Sequence, residues 1–217
     1  MLLALDTSSP TVSVALHSGV DDGAAAVLAQ AASAQSMKHG EQLAPLIEQV
    51  LEQAGAVPGD LSAIVVGAGP GPFTGLRVGL VTARTLGHVL EVPVHGVCSL
   101  DALALEAIAL GLVGGDFAVA TDARRKEVYL ARYDAAGVRA EEPVVERPAM
   151  LAEQLGDLPV LGEGTRLYPG VLPGTVDDDR APLRPAAAWL ARGVVERRVV
   201  VLEPEPLYLR RPDAEGR

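Results

Sequence analysis

The sequence predicts an α/β fold with mixed sheets. Three observations point there. The opening apolar runs are short, alternate in character and are joined by a tight turn, so the first sheet starts antiparallel. The pattern then changes to helix, strand, helix, strand, helix, with apolar stripes of helical period between strand-length runs. A second, mixed unit follows a glycine-rich break. The 217 residues suit one large domain or two small ones. With 49% hydrophobic and 21% charged residues the chain can bury a core, which excludes global disorder. Aromatics are only 3%, so that core is built from Ala, Val, Leu and Ile.

Residues 2–5 form the first strand, and Asp6-Thr7-Ser8-Ser9-Pro10 is a dense turn signal. Thr11 to His17 alternates, with Val12, Val14 and Leu16 on one face, and reads as the antiparallel second strand. Ala24 to Ala32 reads as a third strand in spite of alanine's preference for helix. From Ser36 to Ala54 the residues Leu43, Leu46, Ile47, Val50 and Leu51 recur at helical spacing, with Gly55 and Pro58 as stop signals. Pro45 either marks a late start of this helix or kinks it. Leu61 to Val66 reads as a buried strand leading into the loop Gly67–Gly75, and Leu76 to Glu91 as a helix. Gly79, Ala83 and Gly87 recur every four residues on that helix, a track that lets another backbone approach closely, inside the domain or across a dimer. Val92 to Val97 is a further strand, and Ser99 opens a helix through Leu110. Gly111 to Gly115 reads as a boundary. Beyond it, Phe117–Thr121 and Glu127–Tyr133 form a hairpin, Val160 starts a short strand, Ala186–Glu196 is a helix, and the proline-rich tail Leu202–Pro212 is extended and docked.

Lys and Arg number 18 against 28 Asp and Glu, a formal charge of −10. That balance argues against a free-standing nucleic-acid binder, which needs a basic face, but not against a partner of one. The single cysteine, Cys98, cannot form an internal disulfide or a zinc site of several thiolates, and reads as a packed core residue. The apolar start is interrupted by Asp6 and has no basic leader, and no run of about 18 apolar residues exists, so a cytoplasmic protein without membrane spans is expected.

The strand, glycine-rich loop and helix N-terminus at 67–75 together are a potential anion site. Two known patterns fail there: no Gly-Lys-Ser/Thr follows, and Pro72 stands where the dinucleotide spacing needs glycine. Pro70 and Pro72 also remove two N–H donors. The loop is either a rigid corner or a ligand or partner surface. Asp6-Thr7-Ser8 at the end of the first strand is either an ordinary Asx/Ser turn or a group that meets phosphate. His39 lacks a second histidine four residues on, since position 43 is Leu, and the other histidines are scattered, so no metal cluster is visible. Ser99 has no nucleophile elbow around it. Asp122 to Lys126 is either a solvated hairpin tip or a docking surface.

Five blocks carry a resemblance. They are Leu3-Ala4-Leu5-Asp6-Thr7-Ser8; His39 with Leu43-Ala44-Pro45-Leu46-Ile47; Gly69-Pro70-Gly71-Pro72-Phe73-Thr74-Gly75-Leu76-Arg77-Val78-Gly79; Asp122-Ala123-Arg124-Arg125 with Glu127-Val128-Tyr129; and Pro206-Leu207-Tyr208-Leu209-Arg210. In this order they resemble the TsaB (YeaZ) family of bacterial tRNA threonylcarbamoyladenosine biosynthesis proteins, from Met1 to about Arg211. One departure is Pro72, where the family usually has serine.

The resemblance implies an actin-like ATPase (ribonuclease H-like) fold of two lobes, residues 1–110 and a reduced lobe at 111–217 with the docked tail. It implies a degenerate paralogue of the catalytic subunit TsaD, without that subunit's metal-binding histidine pair. It further implies a non-catalytic scaffold that pairs with TsaD, recruits the ATPase TsaE, and is a homodimer when alone. No cofactor is expected on this chain alone, although the complex uses ATP, and tRNA is expected to be met only indirectly. The nucleotide or anion loop, if there is one, comprises Asp6, Thr7, Ser8, Gly69, Gly71, Thr74 and Gly75. The partner interface is expected at Gly79, Ala83, Gly87 and Arg77, so that Ala83→Arg weakens pairing without unfolding the chain. Two other classes compete. An active actin-like ATPase or kinase acting on a small molecule needs metal-positioning acids that the sequence does not display, and a peptidase lacks both nucleophile and metal pair.

Overall fold

The computed structural model describes residues 1–20, 26–33 and 38–210. They form two compact units, each with its own sheet. The first comprises Met1–Ala102 together with Pro185–Leu207, and the second Leu103–Arg184 with the chain from Tyr208. This division differs from lobes 1–110 and 111–217 in two places: the first cut follows Ala102, and Pro185–Leu207, with the helix near 190, returns to the first unit.

The first sheet is built from β1 (Leu2–Asp6), β2 (Ser13–His17), β3 (Val27–Ala32), β4 (Ala63–Gly69) and β5 (Val94–Cys98), in the order β3-β2-β1-β4-β5. β1 pairs antiparallel with β2 and parallel with β4, and β4 pairs parallel with β5. Ala24 and Ala25 of the expected third strand lie outside the described residues; of the remainder, Val27–Ala32 is a strand paired with β2, and Ala26 precedes it. Successive side chains of a strand point to opposite faces. Leu3, Leu5, Val14, Leu16, Ile64 and Val66 therefore share one face, under α1 (His39–Gln53) and α2 (Phe73–Leu90). Leu2, Ala4, Ala15 and Val65 share the other, under Ala187, Leu190 and Ala191 of the helix Ala187–Val195. With both faces covered, β1 is buried along its whole length, which is why it reads as an unbroken apolar run.

Ser36 and Met37 also lie outside the described residues, and α1 runs on through Pro45. Its apolar stripe is buried, whereas Pro45 is exposed, so the amide missing from the helix ladder belongs to the solvent side. β4 continues to Gly69, three residues into the expected loop, because Gly67 and Gly69 still pair with Val97 and Cys98 of β5. α2 consequently begins at Phe73 rather than Leu76. α3 (Ser99–Ala109) follows β5, and Cys98 is fully buried. The tail is extended: Leu202 bridges to Gly96 on the edge strand β5, and the Leu207 N–H donates to the Ala68 carbonyl.

The second sheet, in the order β8-β7-β6-β9, consists of β6 (Phe117–Asp122), β7 (Val128–Tyr133), β8 (Val144–Glu146) and β9 (Val160–Leu161). β6, β7 and β8 are antiparallel, and β9 is parallel to β6. α4 (Pro148–Leu155) covers it through Leu151 and Leu155 against Ala118, Ala120, Val128 and Leu130. α5 (Glu163–Leu167) is a single short turn, and α6 is the helix Ala187–Val195 already described. Phe117 and Tyr133 stack with ring centroids 5.4 Å apart. No repeat is visible in the sequence, yet the two sheets share one plan. In each, one strand (β1 or β6) leads through two successive antiparallel pairings on one side and has a parallel neighbour on the other, beyond which the first sheet adds β5.

Candidate functional site: the buried aspartate and the glycine corner

The carboxyl end of β1 delivers Asp6, Thr7 and Ser8 to the point where β4 turns into α2. Asp6 is fully buried. Its Oδ1 accepts from the Ser8 N–H at 2.8 Å and the Ser8 hydroxyl at 2.7 Å, an Asx-type turn. Its Oδ2 accepts from the Ser99 hydroxyl at 2.6 Å, and the same Ser99 oxygen accepts from the Gly69 N–H at 3.2 Å. Thr7 reaches into α2: its hydroxyl donates to the Gly75 carbonyl at 2.8 Å and accepts from the Gly79 N–H at 3.1 Å, one helical turn further on. The carbonyl of Ser9 can only accept, so the His39 ring nitrogen Nε2 that lies 2.7 Å from it carries the proton.

The glycines are there because the space is taken. A Cβ on Gly67 would lie 1.9 Å from Asp6 Oδ2, and one on Gly71 would lie 2.4 Å from the Ser8 carbonyl oxygen. On Gly75 it would meet the Thr7 carbonyl oxygen at 2.6 Å, and on Gly79 the Thr7 hydroxyl oxygen at 2.4 Å. The candidate residues Asp6, Thr7, Ser8, Gly69, Gly71 and Gly75 do come together, while Thr74 stays exposed beside them. Part of their hydrogen-bonding capacity is used within the protein. The N–H groups of Ser8, Gly69 and Gly79 are occupied by protein oxygens, and the Asp6 carboxyl group beside them is buried. Gly67, the first residue of the 67–75 loop, belongs to this cluster, and so does Ser99, which the sequence does not assign to it. Ser99 reaches Asp6 across 93 positions, a separation that carries no local signal.

The small-residue track needs a correction. Ala83 is fully buried in the core with Leu5, Leu76 and Leu80, and Gly79 and Gly87 are buried as well. A Cβ on Gly87 would meet Val94 Cγ2 at 2.3 Å. The track thus seats α2 on its own sheet. Of the residues expected at the interface only Arg77 is exposed, its guanidinium 3.8 Å above the Phe73 ring. The outer face of α2 carries Arg77, Val81, Arg84 and Val89.

Burial holds the Asp6 carboxyl above the ordinary value of 3.8, against the opposing pull of the Ser99 and Ser8 hydrogen bonds and the more distant His39. Between the unfolded and the raised folded value, the folded protein keeps a proton that the unfolded chain has released. Stability from this group is therefore full below the unfolded pKa and is lost as pH rises through the folded one. Asp6→Asn removes the titration. In urea unfolding from about pH 4 to 7, a range starting near the unfolded aspartate pKa, the unaltered protein should lose stability relative to the Asn variant as pH rises. Parallel curves for the two proteins would refute it.

Among the described residues no group of three or more His, Cys, Asp or Glu side chains is placed to hold a metal ion, and no helix is long and apolar enough to cross a membrane. The two sheets and the buried corner define an α/β protein of the actin-like class with a closed, internally bonded centre. Comparison with known proteins agrees. Residues 26–163 match the model of the family described as TsaD, tRNA N6-adenosine threonylcarbamoyltransferase. Over 96% of the chain and 94% of its counterpart, the protein is 31% identical to the tRNA threonylcarbamoyladenosine biosynthesis protein TsaB of Escherichia coli. It is 35% identical to TsaB of Bacillus subtilis over 77% of this chain and 72% of that one. The solved structure of YeaZ from Pseudomonas aeruginosa superposes with a TM-score of 0.72 at 28% identity, covering 96% of this chain and 99% of that one. The chain belongs to the TsaB (YeaZ) family.

Proposed function

We propose that this chain takes part in tRNA threonylcarbamoyladenosine biosynthesis as a scaffold without chemistry of its own. It pairs with a TsaD-type catalytic subunit and recruits a TsaE-type ATPase. The ATP is used by the complex, the chain alone binds no cofactor, and the grip on the tRNA body comes from the partners of this −10 chain. The observation that carries the reading is the filled corner. Both oxygens of Asp6 are held by Ser8 and Ser99, and the neighbouring amides are held by Thr7, Ser99 and Asp6 itself. A phosphate-handling fold whose centre is closed in this way retains its outer surfaces for assembly.

The test is reconstitution of tRNA modification from the catalytic subunit, the ATPase and the adenylate-forming enzyme, with and without this chain. Loss of modification on omission is expected, and full activity without it would sink the scaffold reading.

The pairing surface in this proposal is the outer face of α2, where Val81 and Val89 are 62% and 69% exposed. Burying a valine side chain is worth about 1.5–3 kcal/mol, so Val81→Arg should weaken association with the catalytic subunit roughly tenfold or more while the thermal unfolding curve stays in place. Unchanged affinity in an equilibrium titration would move the interface elsewhere. Homodimers of the chain alone would use the same face and should dissociate with the same substitution.

A further inference from the structure

The turn between β6 and β7 has a backbone that its residues do not favour. Arg124, Arg125 and Lys126 follow one another with φ of 60°, 55° and 63°, all in the left-handed region. Non-glycine residues visit that region singly and at a cost, and Asn-Gly or Asp-Gly would turn a hairpin with less. The turn is well held from below. The Arg124 N–H donates to Asp122 Oδ1 at 2.8 Å, its guanidinium pairs with the same carboxylate at 3.2 Å, and the Glu127 N–H closes onto the Arg124 carbonyl at 2.9 Å. Arg210 of the tail pairs with Glu127. All three tip residues are exposed.

Their charge is as unusual as their backbone. Arg124-Arg125-Lys126 is the only run of three cationic residues in the sequence, and Lys126 is one of just two lysines in a chain of net charge −10. At the tip Arg124 pairs with Asp122 and Arg210 with Glu127, and Arg125 and Lys126 stand exposed between these two pairs in sequence. A turn that carries strain while placing three successive exposed cations at its tip fits a polyanion better than it fits folding.

We propose that the β6–β7 tip is a contact for the RNA phosphate backbone, made by Arg125 and Lys126 with Arg124 braced by Asp122. RNA is favoured over an acidic protein because the proposed function already brings tRNA to the assembly, and this inference rests on that reading. Two phosphate contacts add to the main grip of the partners and do not replace it. Cations on phosphates act by counterion release, so their removal is read in the salt dependence of binding.

The probe is an unmodified tRNA transcript carrying the target adenosine, titrated against the assembled complex at several salt concentrations. The double variant Arg125→Ala/Lys126→Ala should lower affinity roughly five- to tenfold near 0.1 M salt and flatten the log–log salt slope by about 1.5. A second variant, Arg125→Gly/Lys126→Gly, separates folding from binding. Glycine accepts the left-handed conformation, so its melting temperature should hold or rise by about 2–4 °C while RNA binding falls as in the alanine variant. Unchanged affinity and slope in both variants would overturn the proposal. So would variants that bind the transcript normally but no longer co-elute with the other subunits, which would make the tip a protein-docking site. Modification that proceeds fully without the chain refutes the scaffold reading. Modification that needs the chain, with normal RNA binding by the variants, refutes only the tip.

Discussion

Replacing Ala83 with arginine is expected to unfold the protein, not to detach it from a partner. Ala83 is fully buried between α2 and the first sheet, among Leu5, Leu76 and Leu80. One turn earlier and one turn later even a methyl group would clash, at Gly79 with the Thr7 hydroxyl oxygen and at Gly87 with Val94. An arginine there faces two penalties. Its volume forces α2 off β1 and β4, and its charge finds no carboxylate among the apolar side chains that line the site. Unpaired buried charges and overpacked cores are the mechanisms behind the largest single-mutation effects, about 4–5 kcal/mol and above. That is comparable to the whole stability of an ordinary domain, about 5–15 kcal/mol. The measurement is chemical denaturation of the purified variant, or its recovery in inclusion bodies. A folded Ala83→Arg protein with a native midpoint would mean that α2 does not pack as described. Val81→Arg, two positions earlier but on the outer face, is the control that must stay folded.

Gly67→Ala should come next in severity, although it adds a single methyl group. The Cβ would sit 1.9 Å from Asp6 Oδ2 and 2.6 Å from the Ser99 hydroxyl oxygen. Neither neighbour can step aside, because Asp6 is fixed by Ser8 and Ser99 by the Gly69 amide. β4 is paired to β1 as far as Val66 and to β5 at Gly67, which restrains the backbone there. Overpacking costs about 1–3 kcal/mol, and losing hydrogen bonds around a buried acidic group costs about 1.5–3 more. The expected total is roughly 3–5 kcal/mol, read as a shift of the urea midpoint with an unchanged slope. Gly71→Ala, aimed at the Ser8 backbone at 2.4 Å, should behave in the same way. A loss below about 1 kcal/mol, the typical effect of an arbitrary mutation, would show that the corner is looser than its geometry.

These two positions also mark what a sequence can and cannot display. The period-2 and period-3.6 patterns placed β1, β2, α1, α2 and the β6–β7 hairpin because burial dictates which residues are apolar. The four-residue track on α2 announced a close approach, but small residues are equally required by a neighbouring strand and by a partner, and nothing local distinguishes them. The glycine loop read as irregular because glycine punctuates turns; strand pairing with β5 overrode that preference as far as Gly69. The Asp6 turn was legible through Ser8, two residues on, whereas its bond to Ser99 is set only by the fold. The left-handed tip breaks residue preference outright, and such a break leaves no pattern to read.

The return of α6 to the first sheet has a consequence for how the protein is made. β1, β2 and β4 emerge from the ribosome with Leu2, Ala4, Ala15 and Val65 facing a helix that is still more than a hundred codons away. The Ser13 hydroxyl that receives the Ala187 N–H at 2.9 Å waits equally long. The contiguous stretch Leu103–Arg184 can close its own core first, while the sheet that was synthesised before it stays bare on one face. A nascent chain stalled before Pro185 would therefore present an apolar β surface to chaperones, and protection of the first strands from proteolysis should appear only once residues 187–195 have cleared the exit tunnel.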